Sequence, residues 1–541
     1  MSDFWSLMKE IDNFTVTENG GGAYKSTRNS CLDAFSSLGA MRNYFPGDVI
    51  ERYYNALYEN EVTAKRLLFY LRDVRGGLGE RSTFRIILRK LAFTHPEFVR
   101  KNLDNVLFFG RGDDFLCLLD SPVEKDVFKY CKAVLKEDLA SVRKGGDCSL
   151  LAKWMPSENT SSKQTRSLAY KMMNGMRYTP REYRKLLAEL RSHITIVESK
   201  MSQNKWDEID FSKLPSRASM IYSDAFFAHE KDRYIEYLKS LSEGKSKINA
   251  NVLFPVDILH RVITLYYSRN YSYEAGTKRE EKFTKEKILT DALWNALPNY
   301  FEGKEETGIC VVDTSGSMSG TPLEVALSLG IYCADKCKGP FKDKFITFSA
   351  DPELHEIKGD TIFDKVESSI SSHWGMNTNI EKVFDLILDT AIGYNLKQED
   401  IPQKLYIISD MQFDQCVLSG DYDDTRAVFR NRDDIRKKYR TDYTVIEQIQ
   451  EKWNSYGYSM PSIVFWNVRE SDCGMYQMSG TDNCCFVSGY SPTLFKAVIE
   501  GTTYEEEIKE DGSRVKKQKL DPVTIMNNTL YNTRYDRVVI S

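Results

Sequence analysis

Five short runs between residues 309 and 488 are almost wholly apolar: ICVV (309–312), FITF (345–348), KLYIIS (404–409), SIVFWNV (462–468) and NCCFVS (483–488). Stretches of helical period lie among them, in TPLEVALSLGIYCADKC, TNIEKVFDLILDTAIG and SPTLFKAVIEG. A strand with one wet face alternates apolar and polar residues, whereas a continuous apolar run has to be covered on both faces. Such runs alternating with helices predict a doubly wound, mostly parallel α/β sheet.

The chain upstream reads differently. From about residue 30 to 290 the period is helical, as in RSTFRIILRKLAF, where Phe84, Ile87, Leu88 and Leu91 share one face. In YTPREYRKLLAELRSHITIVESKM, Thr179, Pro180 and Glu182 occupy the N-cap, N1 and N3 positions of a capping box. Tyr183, Leu187, Leu190, Ile194 and Val197 then form the predicted apolar stripe. The expected organisation is an N-terminal segment (1–30), an irregular α-helical domain (31–300) and the sheet domain (305–541). The pattern switches after the charged stretch TKREEKFTKEK (277–287) and the loop FEGKEETG, and EEEIKEDGSRVKKQKL (505–520) reads as an exposed, mobile loop.

Residues 1–300 hold 47 Lys+Arg against 39 Asp+Glu, a balance of +8, whereas residues 301–541 hold 27 against 39, or −12. The two halves therefore present different surfaces. No run of about 18 apolar residues and no basic leader with an apolar core occurs, so the expectation is a chain that neither spans a membrane nor is secreted by its own signal, and that is cytoplasmic. The eleven cysteines form no CxxC pair and are expected to be reduced.

An open α/β sheet binds ligands outside the carboxyl ends of its strands, where the strand order switches direction. Oxygen-bearing residues gather at such positions here. Asp313, Ser315 and Ser317 follow the first run in DTSGSMS, Thr378 sits in the WGMNTNI loop, and Asp410 ends KLYIISD. Two carboxylates and three hydroxyls make a hard ligand set, suited to Mg²⁺, Mn²⁺ or Ca²⁺ and poorly suited to zinc or copper. Gly316 and Gly375 let the backbone turn closely around an ion. A serine N-cap turn after a buried strand would explain Asp313 and the serines, but neither Thr378 nor Asp410.

This pattern resembles the metal-ion-dependent adhesion site (MIDAS) of von Willebrand factor A domains, over about residues 305–541. The resemblance implies that Ser315, Ser317 and Thr378 bind the metal directly and that Asp313 and Asp410 act directly or through water. It also implies that an acidic side chain of a partner completes the shell. The phrases LRDVRGGLGERSTFR (71–85), FFGRGDDFL (108–116), LLAKWMPSE (150–158) and YRKLLAELR (183–191) are similar to a family that joins a helical region to a von Willebrand A domain. That family is more distantly similar to the Ro autoantigen (TROVE) proteins, whose HEAT-like helical repeats close into a ring and bind non-coding RNA. A ring-forming helical domain and an RNA or ribonucleoprotein partner are what this second resemblance implies.

Charge supplies a separate argument for RNA, since residues 65–111 and 143–191 each hold 11 Lys+Arg against 4 Asp+Glu. The candidate phosphate contacts are Arg72, Arg75, Arg81, Arg85 and Arg89 in the first stretch and Arg181, Arg184 and Arg191 in the second. The same arginines could simply solvate their helices. RGGLGER (75–81) offers either backbone amides to a phosphate or a glycine-rich turn between helices, and Trp154 and Tyr170 could stack on bases or pack. No HExxH, GxSxG or Walker A phrase occurs, and His373, near Thr378, has no evident nucleophile to activate. The expectation is a non-enzymatic, divalent-metal-dependent binding protein, engaging RNA through its helices and an acidic ligand through its metal. A protein-interaction scaffold without RNA is the alternative, and a metal-assisted phosphohydrolase the third reading.

Overall fold

The computed structural model describes every residue except 1–12, 18–19, 21, 195–196, 251, 272–276, 304–307, 349–351, 371–378, 414–444, 470–474, 476–482, 509–513 and 541. An N-terminal helical region is followed by a C-terminal mixed sheet, so the chain is α plus α/β. Two compact units are present, and they do not follow the linear order of the sequence. The sheet unit comprises the described residues up to Ala40 together with Tyr300–Gly359 and Glu367–Asn528. The helical unit comprises Met41–Asn299, Asp360–Val366 and the segment from Thr529 onward. Residues 31–40, expected in the helical domain, thus fall in the sheet unit, while 360–366 and the segment from Thr529 onward, expected in the sheet domain, fall in the helical unit.

In the sheet unit, β1 (Phe14–Val16) and β2 (Gly22–Tyr24) form an antiparallel pair. The main sheet consists of β3 (Gly308–Asp313), β4 (Lys344–Phe348), β5 (Leu354–Glu356), β6 (Lys404–Ser409), β7 (Ser462–Asn467) and β8 (Cys484–Ser488). Its order is β5-β4-β3-β6-β7-β8, parallel throughout except for the short edge strand β5. All residues of β3, β6, β7 and β8 are buried, which is why these strands could be read as unbroken apolar runs. The Thr321–Lys336 helix lies so close on β3 that a Cβ on Gly330 would run into the Val312 side chain. From β3 the chain lays strands outward in one direction to β5, then returns to pair β6 on the other side of β3. The switch point therefore falls between β3 and β6.

Two sequence expectations change. Residues 505–508 and 514–519 are not loop, since they lie in the antiparallel pair of β9 (Thr503–Ile508) and β10 (Arg514–Lys519), whose register sets Glu505 opposite Lys517 and Glu506 opposite Lys516. The charged stretch 277–287 forms the first turns of a Thr277–Asn295 helix. Lys285 and Glu286 are buried there because they pair with Asp224 and with the Arg261 guanidinium, respectively. The helix with the capping box begins at Pro180 as the spacing predicts, with Glu182 Oε2 accepting from the Thr179 amide at 2.8 Å. It ends at His193 rather than continuing, just before the β-branched run Ile194–Val197, and its buried stripe is Tyr183, Leu186, Leu187 and Leu190.

Within the helical unit, Pro46–Glu59 packs on both Glu61–Arg72 and Ser82–Thr94, around Phe69, Phe84, Phe98 and Phe109. The segment after Thr529 docks on the same helices. Asn102 and Val539 exchange two hydrogen bonds of 2.8 and 3.0 Å, and Asn105 exchanges two with Arg537. Arg534 grips the fully buried Asp73 with two guanidinium nitrogens, while Tyr535 donates to the same carboxylate at 3.1 Å and stacks on Phe109.

Candidate metal centre

The carboxyl ends of β3 and β6 bring Asp313 and Asp410 together in the sheet unit. Asp313 is fully buried. Its Oδ1 accepts from the Ser315 amide at 2.9 Å and its Oδ2 accepts from the Ser409 hydroxyl. The Ser315 and Ser317 hydroxyls lie 3.1 Å apart, and the Ser317 side chain hydrogen-bonds Asp410. Asp410 Oδ1 also accepts from the Gln412 amide at 3.3 Å. Met411 between them adopts a left-handed backbone (φ 62°), a strained conformation for a non-glycine residue that turns the chain sharply behind Asp410.

Electrostatics fit a cation. Burial, and then the neighbouring Asp410, push the Asp313 carboxyl up to about 7. Burial likewise raises Asp410, against the Ser317 and Gln412 hydrogen bonds and the charge of Arg469. Two buried carboxylates facing one another need a proton or a positive ion between them. Among the described residues no three His, Cys, Asp or Glu side chains converge as a ligand cluster, so hydroxyl oxygens would have to supply the remaining donors. Asp313, Ser315, Ser317 and Asp410 fit a hard divalent ion on these grounds. Thr378, the fifth expected ligand, lies outside the described residues, as do His373 and Gly375.

The raised carboxyl has a measurable consequence in chelator-treated protein. The fold keeps a proton on Asp313 that the unfolded chain has already released, so this contribution is full below about pH 4 and is lost as pH rises through about 7. Between pH 6 and 8 we expect a loss of roughly 1.4 kcal/mol in unfolding free energy that Asp313→Asn does not share. Urea titrations at the two pH values measure it, and parallel losses in both proteins would assign the trend elsewhere.

Sequence reasoning missed two residues of the site, Ser409 and Arg469. Ser409 closes an otherwise apolar strand, and the hydroxyl ahead of Asp410 was the available signal. Arg469 follows β7, and only the pairing of β7 with β6 brings its Nη1 to donate to the Ser317 carbonyl.

The eight candidate RNA contacts divide sharply. Arg72 is buried and donates to Asp114 Oδ2 at 2.7 Å, while Arg85 reaches Asp113 and Asp114. Arg89 donates to the Cys117 and Leu119 carbonyls, both at 2.8 Å. Arg184 pairs with Glu158, and Arg191 donates to Ala152 O, Met155 O and Ser157 Oγ. Arg75, Arg81 and Arg181 are exposed, and so are Arg89 and Arg184 despite their bonds. The RGGLGER phrase is a turn between helices. The amides of Gly77 and Gly79 donate to Asp73 O, Leu78 to Tyr70 O and Glu80 to Leu71 O, which leaves these four none for a phosphate. Trp154 is half-buried with the Arg111 guanidinium 4.1 Å from its ring centre, whereas Tyr170 is exposed.

Comparison with known proteins divides the chain in two. A domain of unknown function, DUF2828, matches residues 17–110 and 148–302, and a second, DUF7788, matches residues 307–530. An uncharacterized protein of Acanthamoeba polyphaga mimivirus is 30% identical over 536 residues, covering 91% of this chain and 86% of the viral one. Among the described residues no helix is long and apolar enough to cross a membrane.

Proposed function

We propose that this chain, which belongs to the same family as that mimivirus protein, is a divalent-cation-dependent binding protein. Its sheet unit is read as a von Willebrand A-type domain whose adhesion site grips an acidic group of a partner. The observation that carries the reading is the meeting of buried Asp313 with Asp410 at the switch point between β3 and β6, beside the Ser315 and Ser317 hydroxyls. Mg²⁺, Mn²⁺ or Ca²⁺ held there would supply an open coordination position for a carboxylate oxygen. Asp313 and Asp410 would bring the negative charge, while Ser409 and the Ser315 amide orient Asp313. We read capture rather than turnover because the sequence holds no HExxH, GxSxG or Walker A phrase.

Titrating Mn²⁺ into the chelator-treated full chain, with free Mn²⁺ followed by electron paramagnetic resonance, tests this reading. One saturable site is expected, weakened at least tenfold by Asp410→Asn. No saturable site, or unchanged affinity in the variant, overturns it.

RNA engagement through the helical unit is the second reading, supported by the distant resemblance to Ro proteins and by exposed Arg75, Arg81 and Arg181. Fluorescence anisotropy with a structured RNA should then show binding that weakens between 50 and 200 mM salt and falls in Arg81→Glu/Arg181→Glu. Binding unmoved by either change leaves the scaffold without RNA.

A further inference from the structure

We infer that Arg469 is a specificity-determining residue of the candidate metal centre, a second anchor that selects a ligand presenting two anionic oxygens on one group, as a carboxylate does. The inference rests on the metal reading above.

Arg469 stands two residues past β7, the strand that pairs with β6. Its backbone amide donates to Asn467 Oδ1 at 3.0 Å, which fixes the turn after the strand. From there the side chain extends past the end of β6, and Nη1 donates to the Ser317 carbonyl in the loop that follows β3. Its positive charge acts on Asp410. Three adjacent strand ends therefore converge, with β3 giving Asp313, Ser315 and Ser317, β6 giving Asp410, and β7 giving Arg469.

The charge of Arg469 has a specific consequence. A cation beside two carboxylates is opposed, not helped, by a guanidinium at its edge, so Arg469 is poorly chosen as a support for the ion itself. It suits an incoming anion. A guanidinium carries five N–H donors in a fixed planar fork, of which the Ser317 carbonyl takes one, and the side chain is exposed. A carboxylate can present one oxygen to the metal position and the other to this fork, whereas a neutral carbonyl or hydroxyl gains little from it. If Arg469 only braced the loop, a single hydrogen bond to a carbonyl would suffice and lysine would serve as well.

The full chain loaded with Mn²⁺ and titrated with acetate, or separately with methylphosphonate, tests this by water-proton relaxation, which falls as an anion displaces metal-bound water. Arg469→Gln should raise the half-saturating acetate concentration about tenfold while the Mn²⁺ dissociation constant stays within about threefold. Arg469→Lys should recover only part of the loss. Equal acetate binding in wild type and Arg469→Gln overturns the inference, as does a collapse of Mn²⁺ affinity, which would make Arg469 a brace. Dependence on Arg469 for methylphosphonate but not acetate overturns the commitment to a carboxylate. Failure of the wild-type chain to bind Mn²⁺ overturns the metal reading, and this inference falls with it.

Discussion

Asp114→Ala should destabilise the helical unit by roughly 4 kcal/mol, because it removes the carboxylate that Arg72 pairs with among the described residues while leaving that guanidinium buried. Asp114 is itself fully buried and accepts three hydrogen bonds: from Arg72 at 2.7 Å, from Arg85 at 2.6 Å, and from the Arg111 amide at 2.9 Å. Taking one partner from such a network strands a charge that water cannot reach, which costs far more than a surface pair contributes. Urea unfolding followed by far-ultraviolet circular dichroism reads the loss, and Asp114→Asn, which keeps acceptor oxygen without charge, should fall between. A loss below about 1 kcal/mol would mean that Arg72 finds another counter-charge.

The second large effect is expected at the other end of the chain. Arg534→Ala should cost roughly 3 kcal/mol, since Asp73 has no exposure and loses both guanidinium bonds at once, keeping the Tyr535 hydroxyl and the Arg75 amide. A double-mutant cycle with Asp73→Asn isolates the pair. The cycle should return a coupling of about 2 kcal/mol, and additive single losses would show that the Arg534–Asp73 pair contributes nothing of its own to holding the segment after Thr529.

Both networks mark where the sequence could and could not be read. Five parallel strands were legible because burial on both faces writes itself as an apolar run, and Asp313 and Asp410 were legible because each ends one. The fifth expected ligand, Thr378, falls outside the described residues, so the site is legible only in part. Arginine rows could not be read locally, for a physical reason. A row along a helix looks solvated, yet the partners of Arg72, Arg85, Arg184 and Arg191 lie 26 to 42 residues away and only folding brings them in. Lys285 and Glu286 were hidden in the same way, by pairing across helices inside a run of charges. The β9–β10 pair was missed because acidic and basic runs suggest solvent on their own, whereas antiparallel register sets one against the other. Strand order is a long-range property, so Arg469 had no local signature at all.

The docking of the segment after Thr529 on the first helices also sets a timetable. Arg534 meets Asp73 across 461 residues of chain. At about 5–20 residues per second, a ribosome needs on the order of half a minute to a minute and a half to make that interval. Throughout that time the nascent helical unit carries a carboxylate destined for burial and no cation to meet it. Helices made early lack this clasp until the residues from Thr529 onward emerge. A nonsense codon between Thr529 and Arg534 would therefore leave the sheet unit whole and take the Arg534 clasp from the helical unit.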